Sequence, residues 1–178
     1  LAMQTVTTAL GGNFVSRLNM NLREDKHWSY GAFASLSDAH AQRALVAYAP
    51  VQTDKTVESL REMQRELNEI VTNRPLTPTE LSFAKNSLVL SLPGENETVG
   101  ELGRSYSTIL TYGLPDSYWN DYVTKVSALT SAETDAATRK LVHPSALTWV
   151  IVGDLAKIEA PVRALNIGEV RILGTDGN

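Results

Sequence analysis

From Val57 to Val142 the chain is divided into helices by its own punctuation, and this run limits the fold more than any other feature. Val57, Leu60, Met63, Leu67 and Ile70 recur at spacings of three and four, the mark of a long amphipathic helix. Its Arg61, Glu62, Arg65 and Glu66 are expected to face water. Thr77-Pro78-Thr79-Glu80 starts a second helix with an N-cap threonine, a proline at the first helical position and a glutamate that closes a capping box. That helix is expected to run to about Leu92 and stop at Pro93-Gly94. Another is expected over residues 97–112, ended by Gly113-Leu114-Pro115. Asp116 is expected to cap the next, and Thr130-Ser131-Ala132-Glu133 repeats the capping box before a helix to Val142.

The flanks have a different character. Residues 29–36 and 43–49 read as strands joined by the polar turn Ser37-Asp38-Ala39-His40, a hairpin. Leu147-Thr148-Trp149-Val150-Ile151-Val152 is apolar and β-branched and is expected to be a buried strand, closed by Gly153-Asp154. Asp154 is expected to cap a helix carrying Leu155, Ile158, Val162 and Leu165, with Pro161 inside it. Residues 170–173 read as a last short strand before a flexible tail. At the other end, Leu1, Val6 and Leu10 form an apolar stripe, and Gly11-Gly12 is expected to stop that helix in the left-handed conformation open to glycine. Asn13 or Ser16 then opens a short helix through Phe14, Leu18 and Leu22, ending near Asp25.

Strands, then helices, then strands describe an α+β fold with an antiparallel sheet and helices packed on one face. No linker or repeat divides the chain, so residues 1–178 are expected to form one domain. The stripe at Leu1 is already a helix in progress, and three or four strands make a thin sheet. The chain is therefore expected to be an N-terminally truncated fragment, with one or two strands upstream.

Composition narrows the functions. Of 178 residues, 43% are hydrophobic and 20% charged, enough for a proper core. Sixteen basic against 20 acidic residues give a net charge of −4, which provides no general attraction to nucleic acid or anionic membranes. No apolar run approaches the roughly 18 to 20 residues that span a bilayer. With no cysteine, disulfides, thiolate metal sites and cysteine nucleophiles are excluded.

The segment Leu22-Arg23-Glu24-Asp25-Lys26-His27-Trp28-Ser29-Tyr30-Gly31 places Arg23 and Tyr30 seven residues apart across a helix-to-strand junction. Two readings stay open on spacing alone. Both side chains can project from one corner toward a bound extended peptide; or Arg23 pairs with Glu24 or Asp25, and Tyr30 holds its hydroxyl in water. Tyr118, Trp119 and Tyr122 lie on one helix at core spacing, and Glu95, Glu97 and Glu101 read as a solvated helix start.

The run Leu10-Gly11-Gly12-Asn13-Phe14-Val15-Ser16-Arg17-Leu18-Asn19-Met20-Asn21-Leu22-Arg23-Glu24-Asp25-Lys26, continued by Ser29-Tyr30-Gly31-Ala32, closely resembles the second, non-zinc-binding half of the pitrilysin/insulinase metallopeptidases, the inverzincins. Pro75-Leu76-Thr77-Pro78-Thr79-Glu80-Leu81-Ser82-Phe83-Ala84-Lys85 and Val150-Ile151-Val152-Gly153-Asp154 extend the resemblance to about Leu165. The resemblance implies the C-terminal, substrate-clamping half of a zinc peptidase, with zinc held by a homologous half-domain in cis or in trans. HxxEH is absent, and the histidines at 27, 40 and 143 stand too far apart for a local two-histidine helical site, so this chain is expected to bind no metal and to be inactive alone.

The same resemblance assigns Tyr30, as donor, and Arg23 as catalytic and substrate-binding groups, with Ser29 and His27 as further substrate-binding residues on that corner. Many bacterial relatives place glycine and an aromatic where this chain has His27-Trp28. His27 then either touches substrate or is a polar loop residue, with Trp28 anchoring the hairpin. The implied partner is a peptide substrate, and the implied location the bacterial periplasm or envelope. A non-catalytic assembly subunit that kept the fold is the alternative.

Overall fold

The computed structural model describes residues 1–174. Helix α1 (Ala2–Gly11) lies at the centre and packs on α4 (Pro78–Ser91), on α7 (Ser131–Leu141) and on strand β1 (Phe33–Leu36). Val6 and Leu10 of α1, with Leu18 and Leu22 of the next helix, are wholly buried. Each contributes roughly 1.5–3 kcal/mol by leaving water. Ala32, Ala34, Met63, Leu67, Ile70, Leu76 and Ala84 belong to the same core. A smaller cluster of Leu60, Ile158 and Val162 joins α3 (Thr56–Glu69) to α8 (Leu155–Ala164), and Trp149 packs against both clusters. In the chain, α5 (Val99–Tyr112) and α6 (Tyr118–Ala128) lie between α4 and α7, and α6 packs on α4. Tyr122 of α6 donates its hydroxyl hydrogen to Gln4 Oε1 at 3.1 Å. Its burial, with Tyr118 and Glu95 nearby, pushes the phenol pKa up to about 12.

The fold is α+β with an antiparallel sheet, as expected, but the sheet has two strands among the described residues. Strand β1 pairs with β2 (Leu45–Tyr48) in the register Phe33↔Tyr48, Ala34↔Ala47, Ser35↔Val46, Leu36↔Leu45. Ala34, Leu45 and Ala47 face the helices; Phe33, Val46 and Tyr48 face outward. Both strands are shorter than expected, since before Phe33 only Ser29 meets a partner, in an isolated bridge to Val51.

The expected buried strand over 147–152 is a correction. Leu147, Trp149 and Ile151 pack inward while Val150 and Val152 stand 81% and 93% exposed. That is strand-like alternation in a segment with no ladder partner among the described residues, so it is extended but neither a strand nor fully buried. Residues 170–173 likewise form no strand, having no ladder partner among the described residues. The tail beyond residue 174 lies outside the described residues.

The helix boundaries follow the sequence closely, with exceptions that have local causes. Gly12 has φ −84° and ψ −6°, not the left-handed conformation expected. The helix ends on small residues because α1 must approach β1: a Cβ on Gly11 would stand 2.2 Å from Ala34 N. Gly113, by contrast, is the left-handed stop of α5 at φ +58°. Capping boxes form at Thr77–Glu80 and Thr130–Glu133 as expected, and a third, Thr98–Glu101, starts α5. Ser117 rather than Asp116 precedes α6, its hydroxyl bonding Asp121 Oδ2 at 3.0 Å. Phe14 lies before the short helix and is 63% exposed. Glu66, expected in water, is 2% exposed because Asn21 and Arg74 both reach its carboxylate.

Replacing Gly11 with alanine should drive α1 off β1. The loss is expected to be at least about 2 kcal/mol, since overpacking against backbone cannot be relieved by a rotamer change. A denaturation midpoint equal to that of the wild-type chain would refute the close approach.

Candidate functional site

The corner carrying the candidate residues is built from a buried arginine. Arg17 opens α2 (Arg17–Asn19), and its guanidinium reaches Glu80 in two parallel bonds, Nε to Oε1 at 2.8 Å and Nη2 to Oε2 at 2.7 Å. The same group donates to the carbonyls of Arg74 at 2.7 Å and Pro75 at 3.1 Å. Glu80 also closes the capping box of α4, accepting from Thr77 N at 2.8 Å. A single carboxylate thus starts α4 and holds α2 against it. Burial of the Glu80 carboxyl pushes its pKa up, but the bonds from Arg17 and Thr77 outweigh this and hold it below the ordinary 4.5.

From α2 the chain widens into a π-helical turn, Met20–Asp25, with Lys26 N bonded to Asn21 O at 3.0 Å. Leu18 and Leu22 anchor its inner side. Asn21 pins it to α3, donating to Glu62 Oε2 and Glu66 Oε1 at 2.7 Å each. Such turns are frequent at functional sites. Arg23 projects from the outer side, half-exposed, with Nη1 on Glu24 Oε1 at 2.7 Å and its guanidinium 4.9 Å from the Phe14 ring centre.

The chain then reverses at His27, whose φ of +57° is a conformation that glycine adopts more readily. Its Nδ1 lies 3.1 Å from Arg23 O, so His27 touches the backbone of the arginine turn. Lys26 Nζ stands 5.7 Å from the centre of the Trp28 ring, and Trp28 packs on the main core. Ser29 is engaged by backbone: its hydroxyl lies 2.6 Å from Pro50 O and 2.8 Å from Gly31 O, and Gly31 N reaches it at 3.1 Å. Tyr30 follows, 96% exposed. Among the described residues its hydroxyl meets no hydrogen-bond partner.

The structure therefore places Arg23, His27, Ser29 and Tyr30 on one short corner. It joins His27 to Arg23 directly, and leaves Tyr30 free of both. The alternative in which Arg23 pairs with Glu24 and Tyr30 stands in water describes this geometry. Among the described residues no group of three His, Asp or Glu side chains could hold a metal ion. The side chains present at the corner therefore do not fit a zinc ion. Two open depressions of about 260 Å³ each lie elsewhere, one beside Lys157 and one beside Trp119. Sequence reasoning missed Arg17, Asn19, Asn21, Glu66 and Arg74 as supports of the corner. Two asparagines within three residues of a short helix, where asparagine is a poor helix former, were the available signal.

Residues 1–88 match the family model of the Peptidase M16 inactive domain. Proteins of Mycobacterium bovis and Mycobacterium tuberculosis, both named as uncharacterized zinc proteases, are 29% identical over 144 residues, covering 79% of this chain and 32% of each relative. A crystal structure of a peptidase M16 inactive domain from Pseudomonas fluorescens superimposes with a TM-score of 0.72 at 23% identity, over 80% of this chain and 34% of that one. A protease from Helicobacter pylori gives 0.65 at 16% identity, over 78% and 33%. The chain spans about a third of the length of these relatives. The likeness to the second half-domain of the pitrilysin/insulinase metallopeptidases, expected from the sequence, is borne out, and so is the fold.

The Arg17–Glu80 pair gives the corner a pH dependence. Glu80 has a lowered pKa in the folded state, so its contribution is fully present above about pH 4.5 and is lost as pH falls through the depressed value. In Glu80→Gln the acid limb of the stability curve should flatten. Stability at neutral pH should drop by roughly 3 kcal/mol, because Arg17 is left buried without its partner. Denaturant midpoints measured from about pH 3 to pH 7 test this, and an unaltered slope would remove the pair from that role.

Proposed function

We propose that this chain, similar over residues 1–88 to the Peptidase M16 inactive domain, is the substrate-clamping half of a zinc-dependent peptidase, working against a zinc-bearing homologous half in cis or in trans. The supporting observation is the corner itself. Within the stretch that matches the family model, a rigid backbone presents a half-exposed arginine and a fully exposed tyrosine. Residues 1–178 serve as one clamping unit, and the substrate is an unfolded or short peptide. Zinc on the other half supplies the Lewis acid.

Peptide hydrolysis develops negative charge on the scissile carbonyl oxygen. A phenol placed to donate there binds the transition state more tightly than the ground state, which is the role of Tyr30. Arg23 presents a planar fork of N–H donors, suited to a substrate main-chain carbonyl and so to fixing register. Binding exchanges the Glu24 carboxylate for that carbonyl. Ser29 and His27 border the path, their polar atoms held by Pro50 O, Gly31 and Arg23 O. No helix of the described residues is long and apolar enough to cross a membrane. A bacterial periplasmic or envelope location accords with the style of the motif.

The engaged state of Arg23 favours a second reading, a non-catalytic assembly subunit of the same fold. A stable complex with no peptidase activity from any combination of halves would decide for it. On the first reading, Tyr30→Phe in the assembled enzyme should lower kcat by roughly ten- to thousandfold with zinc content unchanged. Arg23→Met should chiefly raise KM, by about tenfold. Steady-state kinetics alongside metal analysis test both, and turnover unaltered in Tyr30→Phe would remove that residue from the mechanism.

A further inference from the structure

Tyr30 has an unusual support: its side chain touches little, while the backbone on either side is held hard. On the near side Ser29 bonds Pro50 O and both backbone polar groups of Gly31, and Gln52 N reaches Trp28 O at 3.0 Å. On the far side Ala32 is fully buried just before β1 begins, where its N–H and C=O would otherwise be orphaned. Asn19 satisfies both. Its Oδ1 accepts from Ala32 N at 2.8 Å and its Nδ2 donates to Ala32 O at 2.6 Å, a side-chain amide standing in for a neighbouring strand. The same Nδ2 donates to Asn13 O at 2.9 Å and lies 3.3 Å from Ser16 Oγ.

Asn19 is itself wholly buried on the helix that Arg17 fastens to Glu80. Gly31 fits between, since a Cβ there would stand 2.8 Å from the Phe33 ring. We propose that Asn19 is a positioning residue for Tyr30: it ties the segment that leads out of Tyr30 to the helix that leads into Arg23. The backbone positions that carry the two groups are thereby held in a fixed relation. The inference rests on the reading of Tyr30 given above. Asn19 touches no substrate and acts through the backbone of Ala32.

The test is a double-mutant cycle in the full peptidase, zinc-bearing half included. Asn19→Asp keeps the side-chain shape and the acceptor for Ala32 N, but turns an oxygen toward the carbonyls of Ala32 and Asn13. In the wild-type background it should lower kcat by about tenfold with KM changed less than about threefold, the pattern of a misplaced transition-state donor. In the Tyr30→Phe background the further loss should be under about twofold, because the donor it positions is already gone. A merely structural role would lower activity by the same factor in both backgrounds, and that result, or an unchanged kcat in Asn19→Asp, overturns the proposal. If Asn19→Asp does not fold, Asn19→Ser replaces it in the same cycle, its smaller neutral side chain leaving space for a bridging water. Should Tyr30→Phe alone leave kcat unaltered, the catalytic reading of Tyr30 fails, and this inference falls with it.

Discussion

A single carboxylate joins the parts of this molecule that matter. Glu80 caps the first turn of α4 and accepts both arms of the Arg17 fork, so helix start and interhelical tie meet at its Oε2 while Oε1 takes the second arm. An arginine buried to this degree is tolerable only when its donors are used, and Arg17 also spends them on the carbonyls of Arg74 and Pro75. Everything C-terminal to Arg17 along the corner, from the π turn to Tyr30, hangs from that anchor.

Local signals in the sequence were legible where the physics is local. The Thr77 and Thr130 capping boxes, the glycine stop at Gly113 and the amphipathic period of α3 each depend on residues within one or two turns, and each appears as expected. The Thr98 box obeys the same rule, its Glu101 being one of the acidic residues that read as a solvated helix start. What failed was tertiary. Glu66 reads as a solvated helix residue until Asn21 and Arg74 arrive from elsewhere in the chain, and a strand at 147–152 requires a partner that no local pattern can supply. Gly11 was read as a helix stop when its reason is the backbone of β1.

The candidate site divides the same way. Arg23 and Tyr30 were visible as residue types at a spacing, read through a family likeness. Their supports were not, because Asn19 and Asn21 act on Ala32 and Glu66 across the fold. The result is a corner whose precision lies in the main chain. Ser29 and Asn19 bond the backbone on either side of Tyr30, while the phenol itself stands exposed.

The packing of α1 on α7 has a consequence for how the corner is acquired. Across the run from α1 to α7, α1 also meets α4 and α4 meets α6, pairs well separated in the chain whose closure costs loop entropy. Docking α1 on α7 joins the two ends of that run and closes a very long loop. Since α1 also supplies the surface on which β1 seats, the Asn19 and Ser29 clamps are expected to lock in the final stage of folding. Kinetic vulnerability of the chain would then concentrate where its chemistry is proposed to reside.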